Sequence, residues 1–119
     1  MILHMLKRDE WEAAKKAGIY RPDSLAEEGF IHCAQPEMII MVANGLYIGQ
    51  TDMIILVIDS EQITAPLIYE DCYETGHAFP HIYGTITPDV VTQIIEFPCN
   101  EQGEFSLPSV IAEHMENNR

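Results

Sequence analysis

Residues Met53-Ile54-Ile55-Leu56-Val57-Ile58 form an unbroken apolar run that stops at Asp59. A strand with one wet face alternates apolar and polar side chains, so a run without alternation reads as a central strand covered on both faces. It is the strongest strand signal in the chain, and the other segments have to supply its two coverings.

The remaining segments read in order. Residues 2 to 6 are a short first strand, with His4 on the opposite face from Leu3 and Met5 because side chains alternate. Asp9 is placed to cap a helix over 10–17, with Glu10 and Glu12 in its first turn, Lys15 and Lys16 in its last, and Gly18 as its stop. Trp11, Ala14 and Ala13 are its expected buried stripe, with Trp11 a core anchor. Residues 19–22 are extended because Pro22 excludes the helical region for the residue before it. Residues 24–28 make one helical turn, Gly29 ends it, and 30–33 return to strand.

Pro36 starts a helix over 37–47 that is apolar nearly all round, and such a helix is expected to be buried on most sides. Gly45 inside it suggests close packing or ligand approach, and Gly49 terminates it. Strands follow at 67–70, 79–86 and 91–97, with a polar connection at 71–78 and a short helical turn opened by Thr87-Pro88-Asp89. A turn at 98–103, a short strand at 104–107 and a helix over 108–115 close the chain. Helices early, strands late and no internal repeat or linker point to an α+β fold in a single domain over residues 1–119.

Charge narrows the partners. The net charge is −13, and positions 22 to 118 carry no lysine or arginine, whereas all nineteen acids except Asp9, Glu10 and Glu12 lie there. Duplex nucleic acid is therefore an unsuitable partner, because binding it rests on neutralising phosphates. A small-molecule or nucleotide ligand remains, its phosphate held by backbone amides, histidines or the N-terminal cations, of which Arg21 lies nearest Gly29–Cys33. No stretch approaches the roughly 18 apolar residues of a membrane span, and no leader pattern opens the chain, so a cytoplasmic location without a membrane partner is expected. Cys33, Cys72 and Cys99 are odd in number and widely spaced, as reduced thiols are.

The candidate chemistry lies with three histidines in apolar, strand-like company: His4 in Ile2–Leu6, His32 in Gly29–Cys33, and His81 in Phe79–Gly84. One such histidine reads as a satisfied core residue, whereas three point to a shared pocket with polar groups on an apolar wall. Glu70, at the end of a strand, is the best carboxylate candidate. His77 and His81 stand four apart as in helical zinc motifs, but Pro80 excludes a helix there, and the metal-free reading leads. Nothing flanking Cys33 or Cys72 marks a nucleophile.

Laid out this way, the chain resembles a family of small, mostly bacterial proteins called domain of unknown function 952. Carrying the likeness are Ile2-Leu3-His4, Trp11–Ala14, Gly18-Ile19-Tyr20, Ser24-Leu25, Glu28–Cys33, Val42-Ala43-Asn44 with Tyr47, Glu70, and Phe79–Gly84. The resemblance implies an ADP-ribosyltransferase-like fold, two small and mostly antiparallel sheets flanking a cleft, with NAD as the cofactor. It further implies that His4 matches the first-strand histidine that binds the adenosine ribose. The Gly29–Cys33 strand matches a second motif in which a tyrosine stacks on nicotinamide; Ile31 or His32 stands there instead. His81 matches the position of a catalytic glutamate, with Glu70 as a neighbouring substitute. The histidine-rich pattern is similar to the RNA 2′-phosphotransferases of that superfamily, which, unlike this chain, hold an RNA phosphate with basic residues.

The expected site is thus His4, His32, His81 and Glu70 as catalytic groups, with Arg21, Asn44, Tyr47 and Tyr83 binding substrate and no metal. It would bind a nucleotide or small metabolite related to NAD or ADP-ribose, and as an enzyme would transfer a glycosyl or ADP-ribosyl group. Two alternatives stay open: a non-catalytic binding module that kept the fold, and a histidine-bound metal hydrolase.

Overall fold

The computed structural model describes residues 1–72 and 74–117. Along the chain run β1 (Ile2–Lys7), α1 (Arg8–Ala17), α2 (Asp23–Glu27), β2 (Ile31–His32), α3 (Ile39–Leu46), β3 (Met53–Ile58), β4 (Leu67–Glu70), β5 (Phe79–Ile82), β6 (Val91–Glu96) and α4 (Ser109–Asn117). One antiparallel sheet has the order β1-β3-β6 and the other β2-β5-β4. The fold is α+β, as expected.

The apolar run is β3, central in its sheet and buried at all six positions. Its alternate residues serve two cores. Ile54, Leu56 and Ile58 pack with Ile2, Leu6, Trp11, Tyr20, Ile31 and Ile82, whereas Met53, Ile55 and Val57 pack with Leu3, Met5, Ile39, Phe97, Phe105 and Ile111. A strand supplying two cores cannot alternate, which is why the sequence does not.

The two sheets share the first of these cores and are also joined through the backbone. Leu3 and Ala34 exchange backbone hydrogen bonds of 2.8 Å each, joining the outer edge of β1 to the chain just beyond β2.

Several expectations are corrected. Helix α1 starts at Arg8, with Lys7 in the cap position and no side-chain cap, because Arg8 pins the first turn by reaching Asp52 at 2.9 Å and Glu96. Asp9 therefore lies inside the helix, and Ala13 is exposed while Trp11 and Ala14 are buried. The regular strand expected over 30–33 spans Ile31–His32, with the Cys33 N–H donating to the Pro80 carbonyl beyond it, and Phe30 lies on the His81 ring instead. Helix α3, preceded by a 3-10 turn at Pro36–Met38, buries only Ile39 and Ala43, and leaves Met41 and Leu46 50% and 65% exposed. A Cβ on Gly45 would meet nothing within 4 Å, so close packing is not its role.

No strand forms at 104–107. Phe105 instead bonds the Asn44 amide at both ends, its N–H donating to Oδ1 at 2.7 Å and its carbonyl accepting from Nδ2 at 3.1 Å. Beside this strap, Gly49 donates its N–H to the Gly103 carbonyl at 2.9 Å. A Cβ on Gly103 would lie 2.7 Å from the Gly49 nitrogen, and both residues hold positive φ, so only glycine fits. Among the described residues no helix is long and apolar enough to cross a membrane.

Candidate functional site

Strands β2 and β5 pair with His32 opposite His81 and Ile31 opposite Ile82. Directly opposed residues of an antiparallel pair share a face, so the isoleucines enter the core and the imidazoles stand side by side on the other face. Their ring centroids are 5.7 Å apart. Phe30 stacks on His81 at 4.0 Å and meets His32 edge-on at 4.9 Å. This burial and stacking fix the His81 ring, whereas the His32 side chain stays 34% exposed and bonds through Nε2 to the Glu28 carboxylate.

Strand β4 brings a carboxylate to His81. Glu70 Oε1 accepts from His81 Nδ1 at 2.9 Å and from the Tyr83 hydroxyl, and these two bonds, Tyr83 first, hold the Glu70 carboxyl below its ordinary pKa. Cys72 Sγ lies 3.8 Å from the same Nδ1. A nucleophile–base–orienter relay needs thiol and carboxylate on opposite ring nitrogens, so this is not one. Desolvation, with Glu70 nearby, also pushes the Cys72 thiol up, the wrong direction for a nucleophile.

His4 is differently employed. Its Nδ1 lies 2.6 Å from the His32 carbonyl and its Nε2 lies 2.7 Å from the Tyr20 hydroxyl. A carbonyl only accepts, so Nδ1 carries the proton and Nε2 takes the phenol's hydrogen. Burial lowers its pKa to about 4. Neutral His4 thus ties β1 to β2, with both ring nitrogens committed.

Two cavities lie along β1 and β2. The first, about 660 Å³, is lined by His4, Lys7, Tyr20, Arg21, His32 and Tyr47 among others. The second, about 500 Å³ and mostly apolar, includes Cys33, His32, Met41, Leu46, Tyr47 and His81. They meet at Met5, His32 and Tyr47, which line both. The three histidines therefore do not face one chamber: His4 faces the first, His81 the second, and His32 both. Gly45 borders the second chamber.

Of the other expected site residues, Arg21 sits exposed at the rim of the first cavity and Tyr47 lies between the two. Tyr83 backs Glu70 without lining either cavity, and the Asn44 amide is occupied by Phe105. Sequence reasoning assigns Tyr20 and Glu28 no place in the site and weighs Cys72 only as a nucleophile. Glu28 was findable, since it stands four residues before His32; Tyr20 reaches His4 across sixteen residues and left no local signal. Glu70, Cys72 and His81 bring a carboxylate oxygen, a sulfur and a ring nitrogen within 4.8 Å of one another.

The sequence profile of a family described as Protein of unknown function (DUF952) matches residues 5–94. Among solved structures, the crystal structures of protein CC0527 from Caulobacter crescentus, one of them a double mutant, are 28% identical. Each has a TM-score of 0.81 over 93% of this chain and 97% of theirs. The solution NMR structure of the same protein gives 27% identity and a TM-score of 0.80, over 94% of this chain and 97% of that one. None of the curated proteins matches the chain.

Proposed function

The chain belongs to the DUF952 family, and from that premise we propose that it is an ADP-ribosyltransferase-like domain that binds a nucleotide or small metabolite of the NAD or ADP-ribose class in its two-chambered cleft. The observation that carries this reading is the meeting of the two cavities at His32 and Tyr47. The first chamber holds Lys7 and Arg21 together with Glu10 and Asp23, whereas the second is the more apolar, which suits a dinucleotide's pyrophosphate and flat rings respectively. Pockets of roughly 300–1,000 Å³ with a few polar groups on an apolar wall are the ordinary form of a small-ligand site.

In this reading Arg21 meets phosphate and Tyr47 stacks on a ring between the chambers. His32, half-buried and backed by the Glu28 carboxylate, meets the ribosyl group. In the catalytic form, glycosyl or ADP-ribosyl transfer, His32 assists departure of the leaving group from the ribosyl carbon, and a neighbouring polar group orients the acceptor. His81, held by Glu70, shapes the second chamber, and His4 positions the β2 backbone.

Calorimetry and NMR shift mapping with NAD, ADP-ribose and nicotinamide test the binding. Shifts at His32, Tyr47 and Arg21, with affinity reduced at least ~10-fold in Arg21→Ala, are expected for a phosphate contact. Absence of any perturbation at these residues overturns the proposal.

A second reading, a binding module without turnover, draws on the committed nitrogens of His4 and the His81–Glu70 bond, which hold those rings in structural service. NAD turnover that disappears in a folded His32→Ala variant would exclude it.

A further inference from the structure

In the nucleotide reading His81 and Glu70 only shape a chamber wall, and with Cys72 they form a cluster whose chemistry is of another kind. We propose that these three side chains form a binding site for a zinc-like transition-metal ion, with thiolate, imidazole and carboxylate as ligands and a further position left to water or an external ligand.

Distance is the first argument. A tetrahedral ion with bonds of ~2.3 Å to sulfur and ~2.0 Å to nitrogen and oxygen places sulfur ~3.5 Å and oxygen ~3.3 Å from the nitrogen. Cys72 Sγ stands 3.8 Å and Glu70 Oε1 2.9 Å from His81 Nδ1, and all three ligand atoms lie within 4.8 Å of one another. The two separations from the His81 nitrogen thus each lie within a few tenths of an ångström of the ideal.

Mobility is the second argument. His81 is buried and stacked on Phe30, so its nitrogen is a fixed point. Glu70 is half-buried at the end of β4 and Cys72 is exposed just beyond it, so the two side chains that must adjust are the two able to do so.

Donor chemistry is the third. A sulfur with an imidazole selects zinc, cobalt or copper(I) over calcium and magnesium, which prefer all-oxygen sites. Tyr83, bonded to Glu70, provides the outer hydrogen bond that holds a metal-binding carboxylate in place. As the ion enters, Cys72 releases its thiol proton to solvent. His81 moves its N–H from Nδ1 to Nε2, freeing the Nδ1 lone pair while the ring stays neutral.

The zinc spacing noticed in the sequence joined His77 to His81; the fold replaces His77 with Glu70 and Cys72 from the β4 side. Since His81 also lines the apolar chamber, the ion sits at that chamber's wall.

The full chain, prepared without a histidine tag or chelator, is titrated with zinc and with cobalt(II) alone. The expected result is one equivalent of either ion and, for cobalt, a near-ultraviolet thiolate charge-transfer band. Cys72→Ser abolishes that band. Cys72→Ser and Glu70→Gln each weaken zinc binding at least ~10-fold, the scale seen when metal-site support is removed, while Cys99→Ser does neither. Cys72 is exposed, so its substitution leaves the fold intact, as far-ultraviolet dichroism verifies. Absence of stoichiometric binding, or binding and band unchanged in Cys72→Ser, overturns the site. These readouts need no nucleotide, so their failure is distinguishable from that of the cleft.

Discussion

Sheet β1-β3-β6 is built from strands of six residues each, whereas sheet β2-β5-β4 has strands of two, four and four. Strand β3 buries aliphatic side chains on both faces. Strands β4 and β5 bury Ile82 on one face and gather His81, Glu70 and the tyrosine just beyond β5 on the other. At roughly 1.5–3 kcal/mol per buried aliphatic side chain, the first sheet carries much of the stability. The short sheet can hold polar groups because Ile31 and Ile82 anchor it in the core that β3 organises. Polar chemistry is thus placed where little of the fold depends on it.

The sharpest way to break this contrast is one truncation in each sheet. Leu56→Ala, at a fully buried position of β3, is expected to cost about 2–5 kcal/mol. Ile68→Ala, at a position 44% exposed in β4, should stay within about 0.5 kcal/mol. Equal losses in urea titrations would erase the division.

His4 tests the seam between the sheets through pH. Its pKa is about 4 in the fold against 6.5 unfolded, so above pH 6.5 it is neutral in both states and adds no pH dependence. As pH falls from 6.5 toward 4 the unfolded chain takes up the proton first, and about 3 kcal/mol of stability is lost. Urea titrations across that window should show the slope, and His4→Gln should flatten it. Glu70 acts lower: its depressed carboxyl stabilises the fold above its unfolded value of 4.5, and that contribution is lost as pH falls through the folded value.

Asn44→Ala, which removes both bonds to Phe105, should cost about 2 kcal/mol. Weaker ligand binding at unchanged stability would instead move Asn44 from the scaffold into the site. Smallest is Tyr83→Phe, expected to cost about 0.5 kcal/mol because Glu70 is partly solvated. It should also raise the Glu70 carboxyl toward its ordinary range, read by carbon-13 NMR.

What the sequence disclosed follows from how local each signal is. Strand β3 was legible because burial on both faces leaves an unbroken run, and α1 because its end charges and Gly18 mark it. Helix α3 was misjudged in burial: an apolar surface in sequence does not say whether anything covers it, and Met41 and Leu46 lie open. The segment at 104–107 could not be read correctly, since the partner of the Phe105 backbone is a side chain sixty-one positions away. In the site, His32 and His81 were visible as polar residues in apolar strands, but their pairing is a property of sheet order. Cys72 gained meaning only when the turn after β4 set it against His81.

The strap from Asn44 to Phe105 and the glycine contact of Gly49 with Gly103 also set an order of assembly. These contacts close a loop of about sixty residues that contains β3 through β6, and closing it early would cost chain entropy with few contacts in return. The clasp is therefore expected to form after the strands inside that loop have paired and, in the native protein, to open before they separate. Tyr47, which separates the two chambers, sits between the clasp's two anchor points on α3 and the following turn. Hydrogen exchange should accordingly be faster at the Gly49 and Phe105 amides than along β3, making the clasp a separately melting unit on a scaffold that stays folded.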